Sequence, residues 1–490
     1  MKRLQELWPA IPAAHAAIAV SALALDSRSV RPGSLFMALK GQARDARDFI
    51  PVVAAAGAVA VLAEQDALWP SAVAVDGVPV IPVADLAQQA GDIASRFYGE
   101  PSRQLDVVAV TGTNGKTSVA NLAAGALCRL DRRAAVLGTL GNGFHGSLEK
   151  STHTTLDACQ LQAMLAGFVA EGAHSVCLEA SSHGLVQGRL NGTAIDVAVF
   201  TNLTRDHLDY HGDMDSYAAA KELLFRWPGL RAAVINADDP AGDRYAAVVA
   251  AGVPVLRYSQ RADSGAELRA LDIRPTLSGL SLRLATPFGE CDLAVPLLGR
   301  FNVSNLLAVA GTLMALGIPL AELAEALRHA QPVPGRMESF SGAHPTVVVD
   351  YAHTPDALEK VLGSLREHVA GELVCVFGCG GDRDTGKRAP MGAIATRLAD
   401  RVVVTSDNPR TEDAGAILDA ILSGTGRGAR VQVEADRRRA IHQAIAAARP
   451  DDIVLIAGKG HEDYQEVAGV RHPFSDVDEV RLALAGWRSA

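Results

Sequence analysis

The sequence predicts an α/β protein built from three domains. Three observations carry this. At 490 residues the chain is too long for one core, given about 150 residues per domain. Two separate series of apolar, strand-like runs alternate with helix-length segments, the pattern of parallel sheets covered by helices on both faces. Two breaks rich in turn residues divide the chain.

Residues 1–104 form a small N-terminal α/β domain. Its short apolar runs ("AVAVLA", "SAVAV", "VPVIPV") sit among turn residues, and a helix from Leu86 to Tyr98 leads into the linker Gly99-Glu100-Pro101-Ser102. Residues 105–335 form a central parallel-sheet domain of P-loop type. Its strands are "LDVVAV", "RAAVLGTL", "HSVCLEAS", "DVAVFTNL" and "RAAVINAD", followed by a more β-like stretch near 253–298 and a helix from about Asn305 to Leu316. The break "QPVPGRMES" opens the last domain, 336–490, with "TVVVDYA", "ELVCVFG", "RVVVTS", "ARVQVEA" and "DIVLIAG" as its strands.

Composition narrows the functions. An apolar share of 49% with 21% charged residues is ordinary for a globular chain. The balance of 46 basic to 55 acidic residues, −9 overall and without a basic run, excludes nucleic acid as a partner, while an anionic substrate stays compatible. Six scattered cysteines, several in apolar runs, read as reduced core thiols of a cytoplasmic protein, and Cys375-Val-Phe-Gly-Cys379 lacks the second Cys/His pair of a metal site. Met1-Lys2-Arg3 before the charge-free run from Leu7 to Leu25 imitates an export signal. Pro9, Pro12 and His15 interrupt that run and eight of its nineteen residues are alanines, so neither export nor membrane insertion is expected.

The chemistry centres on "AVTGTNGKTSVANL". The pattern G-x-x-x-x-G-K-[ST] wants a glycine where Val110 stands, yet the setting of strand, tight turn and helix survives if Gly112 takes the turn. Gly112, Thr113, Asn114, Gly115, Lys116, Thr117 and Ser118 then cradle a nucleotide's phosphates. Lys116 would reach the β/γ-phosphates and Thr117 would ligate Mg²⁺. A glycine-rich turn is common in α/β folds, but the adjacent Gly-Lys-Thr is not. "CLEASSHGLVQGR" sets Glu179 just past one strand, and "NLTRDHLDYHG" sets Asp206, His207, Asp209 and His211 past another. Each alone reads equally as a polar loop or cap. Both fall at the carboxyl edge of the sheet that carries the phosphate loop, where ligands of such sheets gather. Lys221 of "SYAAAKELLF", taken alone, reads as a snorkelling surface lysine.

Ten segments in order, GTNGKT, "EASSHGLVQGR", "TNLTRDHLDYHG", "AAAKELLF", "GRFNVSN", "PVPGRME", "VVDYAHTPDAL", "GCGGDRDTGKR", "SDNPR" and "GKGHEDYQ", resemble the Mur ligase family from about residue 25 to 479. Their set and order are most similar to members that add meso-2,6-diaminopimelate to the D-glutamate of UDP-MurNAc-L-Ala-D-Glu. The resemblance implies a UDP-sugar domain, a central ATPase domain and a Rossmann-like domain for the incoming amino acid. It implies ATP and Mg²⁺ as cofactors, Lys116, His207 and Lys221 as catalytic residues, and Thr117, Glu179, His207 and Lys221 around the metals. Lys221 would carry a carbamate. Asn302, Arg336 and Asp350 would contact ATP. Leu25, Ser27, Thr154, Thr155, Ser181, Gln187 and Arg189 would face the UDP-sugar, and Arg383, Asp407, Asn408, Pro409, Arg410, Gly458 and Glu462 the diaminopimelate. A monomer is implied, acting in peptidoglycan synthesis and hence in cell shape and division. His153 and Leu156 stand where relatives often carry asparagine and proline, and the first domain is thinly matched.

The implied reaction is consistent with physics. A carboxylate and an amine do not condense in water without activation, and ATP supplies it as an acyl phosphate. The γ-phosphoryl group meets a carboxylate that is also negative, so Mg²⁺ and Lys116 are needed to screen the repulsion. The amine must arrive with water excluded, so domain closure is expected. A P-loop kinase would not need a second ligand-binding domain, and a GTPase switch would need an N-K-x-D motif, absent here. A lysine-adding ligase or a folylpolyglutamate synthetase-like ligase is the nearest alternative. Arg410 bears on that choice, because a guanidinium pairs with the distal carboxylate that lysine lacks.

Overall fold

The structure is a computed structural model. It describes residues 1–41, 44–151, 153–276, 279–426, 428 and 430–487. The fold is α/β, with parallel-sheet domains, and the chain separates into two compact units, Met1–Tyr258 with Gly311–Ile318, and Ser259–Ala310 with Pro319–Ala490.

The first unit begins with a five-stranded sheet in the order Ala22–Ala24, Ser34–Ala38, Ala58–Glu64, Val78–Val83, Val73–Val75, parallel except at the last pair. Side-chain alternation divides its core: Leu35 and Met37 pack on one face with Leu4, Leu7 and Val20, while Phe36 and Ala38 pack on the other with Ile50 and Val53. The apolar run that imitates an export signal is therefore core material of this sheet. Helix Leu86–Tyr98, bounded as expected, buries Leu86, Ala90, Ile93 and Ala94 along one stripe. Its Gly91 lets the backbone meet Asn191, whose carbonyl would lie 1.9 Å from an added Cβ.

The same unit holds a second sheet, ordered Ser147–Glu149, Gly141–Phe144, Ala134–Gly138, Ser175–Glu179, Asp106–Thr111, Val197–Phe200, Ala232–Asn236, Val255–Ser259. Its last six strands are parallel, and the antiparallel hairpin at the other edge escaped the sequence reading. Strand Asp106–Thr111 lies between strands that come later in the chain. Its own connection runs to Ala134–Gly138 on one side, while that of its neighbour Ser175–Glu179 crosses to Val197–Phe200 on the other, so a crevice opens at the carboxyl ends of this pair.

In the second unit, Leu268–Thr276, Gly279–Thr286 and Gly289–Val295 form an antiparallel meander. The chain continues in helix Phe301–Ala315, which starts four residues earlier than expected, with Asn302 in its first turn bonded to Leu298 O and Asn305. A six-stranded sheet follows, ordered Glu338–Phe340, Thr346–Asp350, Ile453–Ala457, Leu373–Phe377, Arg401–Val404, Val431–Val433, parallel except at its first strand. Helices Pro355–Arg366, Arg388–Leu398 and Ala414–Leu422 cover one face, and Arg437–Ala446 with Asp476–Ala485 the other. Among the described residues no helix is long and apolar enough to cross a membrane.

One buried ion pair ties this last sheet together. Arg437 donates from Nε and Nη2 to Asp476 at 2.7 Å each, and to the carbonyls of Ser406 and Ala457 at 3.3 and 3.0 Å, with both side chains fully buried. Replacing Arg437 with alanine leaves Asp476 buried without its counter-charge. A loss of about 3–5 kcal/mol is expected in urea unfolding followed by circular dichroism. A variant as stable as the parent would show that the pair contributes nothing to the sheet.

Candidate active site

In the first unit Val110 is a fully buried strand residue, so the phosphate loop is only the turn from Gly112 to Gly115. Gly112 has φ +151° and Gly115 +87°, both conformations that favour glycine. A Cβ on Gly112 would lie 1.9 Å from Thr201 Oγ1 and 3.0 Å from the Asn202 backbone. The segment after strand Val197–Phe200 clamps the loop. Asn202 accepts from Thr113 N at 2.8 Å through its carbonyl and from Asn114 N at 2.9 Å through Oδ1, while Thr201 Oγ1 donates to Asn114 O at 2.6 Å. Thr113 Oγ1 lies 3.2 Å from Tyr217 Oη and accepts from Thr204 N at 2.9 Å. The N–H groups of Thr113 and Asn114 are thus occupied, and the first-turn N–H groups of the helix Lys116–Arg129, which have no carbonyl one turn back, form the arrangement that binds anions.

Two lysines share one acceptor here. Lys116 Nζ donates to the carbonyls of Gly112 and Thr113 at 2.8 and 2.9 Å, and Lys221 Nζ to that of Gly112 at 3.0 Å. Lys221 is only 1% exposed and its amine lies 4.3 Å from the Tyr217 ring centroid, which overturns the snorkelling alternative. Burial, with the nearby Lys116 charge, holds its pKa well below the usual lysine value.

Glu179 is the final residue of strand Ser175–Glu179 and is 1% exposed. Both of its oxygens lie 3.0 Å from Thr117 Oγ1, and Thr139 N donates to Oε1 at 2.8 Å. Around it runs a continuous polar chain. Thr154 Oγ1 meets Thr139 Oγ1 at 3.1 Å, and Thr155 Oγ1 donates to Glu179 O at 2.7 Å and lies 2.9 Å from Ser181 Oγ. Arg189 donates to Thr155 O at 2.7 Å and Gln187 Oε1 at 2.9 Å, and Gln187 reaches Tyr210 Oη at 3.1 Å. His207 adopts φ +53° and lies edge-on to His183 at 5.0 Å, with the Tyr217 ring 6.1 Å away. Burial lowers the pKa of His183, His207 and His211 alike. Among the described residues no three His, Cys, Asp or Glu side chains form a ready-made metal cage. Leu25 packs against the first sheet's core, and Ser27 opens the turn Ser27–Ser29 behind Asp26.

The second unit gathers the remaining candidates except Asn302 in the segments around the carboxyl edge of its six-stranded sheet. Asp350 accepts from Met337 N and Ala352 N at 2.8 Å each, and burial pushes its carboxyl pKa up. Arg336 lies over the Tyr351 ring at 4.5 Å. Asn408 Nδ2 donates to Glu462 Oε2 at 2.8 Å, and a Cβ on Gly458 would lie 2.4 Å from Asp407 Oδ2. Arg410, following Pro409, has φ +54° and donates from Nη1 to Gly381 O at 2.7 Å. Asp382 accepts from Thr411 Oγ1 at 2.8 Å and so joins the loop of Arg383 to that of Arg410, although Arg383 itself is exposed and donates to the Asp382 carbonyl at 3.0 Å. Asn302 spends its amide on Leu298 O and on Asn305.

Sequence reasoning missed Thr139, Thr201, Asn202, Tyr217 and Lys459. Only position at a strand end, or inside an already noted motif, could have flagged them. The clamp on Gly112 makes a direct prediction. Gly112→Ala should keep the fold yet lose nucleotide binding by about tenfold or more, since even 1.4 kcal/mol of displacement is a factor of ten. Titration calorimetry with ATP would decide, and unchanged affinity would show that the clamp does not shape the cradle.

Three family descriptions match the chain: Mur ligase family, catalytic domain, over residues 19–98; Mur ligase middle domain over 110–313; and Mur ligase, glutamate ligase domain, over 335–460. The UDP-N-acetylmuramoyl-L-alanyl-D-glutamate–2,6-diaminopimelate ligase of Pseudomonas aeruginosa is 52% identical over 97% of both chains, and that of Ectopseudomonas mendocina 51% over 98% of both. A solved structure of a ligase with the same description is 40% identical, covers 99% of each chain and superposes with a TM-score of 0.76. Matches of this extent leave one conclusion: the chain belongs to the Mur ligase family.

Proposed function

We propose that this chain is an ATP-dependent ligase joining meso-2,6-diaminopimelate to the D-glutamate of UDP-N-acetylmuramoyl-L-alanyl-D-glutamate, through an acyl phosphate, in peptidoglycan precursor synthesis. The observation that carries the reading is the phosphate loop, where Lys116 and the buried Lys221 converge on Gly112 O at 2.8 and 3.0 Å beside the Thr117–Glu179 pair. Relatives about 50% identical over nearly their whole length supply the substrate pair by name. We assign residues 1–104 to the UDP-sugar, 105–335 to ATP and 336–490 to the amino acid, a division that the family matches at 19–98, 110–313 and 335–460 support. The use of ATP sets the reaction in the cytoplasm.

The chain's residues act as follows. The amides of the helix N-terminus hold the phosphates, and Lys116 moves from the loop carbonyls to the β/γ-phosphate oxygens; the substrate carboxylate attacks the γ-phosphorus as ADP leaves, and the amine then attacks the acyl carbon and expels phosphate. Thr117 and Glu179 fit Mg²⁺: they are buried, hard oxygen donors, and too few for an all-protein cage, as suits an ion that keeps water and phosphate ligands. His207 and Lys221 complete the set we assign to the metals. When bound, Mg²⁺ would screen the repulsion between γ-phosphoryl and carboxylate. Burial of Lys221 disfavours its charged form and so favours the amine that CO₂ requires: its nitrogen bonds the carbon, a proton leaves, and a carbamate anion results. Asn302, Arg336 and Asp350 bind ATP. Leu25, Ser27, Thr154, Thr155, Ser181, Gln187 and Arg189 hold the UDP-sugar, the last five as one connected polar chain. Arg383, Asp407, Asn408, Pro409, Arg410, Gly458 and Glu462 receive diaminopimelate.

Two measurements test this. Lys221→Ala should be inactive, with partial recovery when small carboxylic acids fill the vacated space; an active enzyme whose intact mass shows an unmodified Lys221 would remove the carbamate. Arg410 faces the choice between diaminopimelate and lysine. Only diaminopimelate carries the distal carboxylate that a guanidinium pairs with through two hydrogen bonds. ADP release with the UDP-sugar dipeptide, across a panel of diamino acids, should favour diaminopimelate. Arg410→Ala should weaken its use by about 2–5 kcal/mol while ATP and UDP-sugar affinities hold. A wild type that prefers L-lysine would replace the amino-acid assignment with the lysine-adding one.

A further inference from the structure

We infer that Lys459 is a positioning residue for the incoming amino acid, fixing the orientation of Asn408 and Glu462. The inference rests on the assignment of those two residues to the amino-acid site. Lys459 follows Gly458 in "GKGHEDYQ" and is 0% exposed. Its Nζ donates to Asn408 Oδ1 at 3.0 Å and to Glu462 Oε2 at 2.9 Å. Asn408 Oδ1 accepts a second bond, from Glu466 N at 2.9 Å, and Nδ2 donates to Glu462 Oε2 at 2.8 Å.

This network admits one orientation of the amide. With two donors on Oδ1, Asn408 cannot flip without setting its NH₂ against Lys459 and Glu466 N, which are donors only. Glu462 in turn has Oε2 held by two donors, and Oε1 takes no hydrogen bond among the described residues, while 19% of the side chain stays exposed. The carboxylate is therefore anchored by one oxygen and offers the other to a substrate ammonium group. Lys459 is too deeply buried to meet the substrate, so it acts through these two side chains. Without it, Glu462 loses its counter-charge and Asn408 the donor that fixes its face.

The test uses the full chain and whichever amino acid the wild type accepts best in the diamino-acid panel, so a wrong substrate assignment leaves this inference measurable. Lys459→Met should raise the KM for that amino acid by about ten- to a hundredfold, the usual loss when a supporting contact behind a ligand-binding group is removed. The KM for ATP and for the UDP-sugar should stay within about twofold. A purely structural lysine would instead lower the amount of active enzyme and leave all three KM values alone. If the methionine variant does not fold, Lys459→Gln, which keeps a donor but not the charge, carries the test with the same expected direction. An unchanged amino-acid KM in the folded variant, or an equal rise in all three, overturns the inference.

Discussion

Everything proposed for the phosphate loop depends on its being held by the neighbouring strand. A four-residue turn with two positive-φ glycines has little structure of its own, and Thr201 and Asn202 supply what it lacks. They bond the N–H groups of Thr113 and Asn114 and the carbonyl of Asn114, and they leave no room for a side chain at Gly112. The amides left over belong to the helix N-terminus, which aligns their dipoles toward one point.

The second feature is the concentration of positive charge at one carbonyl. Lys116 and Lys221 both bond to Gly112 O, and two ammonium groups so close repel. Burial separates the two. Lys221 is desolvated on a helix face packed against the sheet, so its charged form is disfavoured, whereas Lys116, the first residue of its helix, is only partly buried. Two residues of one type thus come to differ in how strongly their charged forms are disfavoured, through environment alone.

The second unit solves a comparable problem with buried ion pairs. Its parallel strands end in polar segments that must be held without water. Arg437 with Asp476 ties Ser406 to Ala457, and Lys459 with Glu462 ties Asn408 in place. Neither pair adds much net stability over an apolar contact, but breaking either leaves a buried charge alone. Their contribution is orientation, which the polar side chains at the sheet edge need.

Much of this was legible in the sequence, for a physical reason. Strands such as Asp106–Thr111, Ser175–Glu179 and Ile453–Ala457 are apolar on both faces, and that composition specifies a covered parallel strand whatever lies beside it. Helix Leu86–Tyr98 carries its own apolar stripe, and Gly112, Gly115, Lys116 and Thr117 sit where strand, turn and helix must join. What the sequence could not decide was the fate of long polar side chains. Lys221, Lys459 and Arg437 look like surface residues in their own helices and loops. They are buried because distant segments, around Gly112, Asn408 and Asp476, deliver acceptors to them. Local pattern sets which face of an element is apolar; only the tertiary fold decides which charge finds a partner.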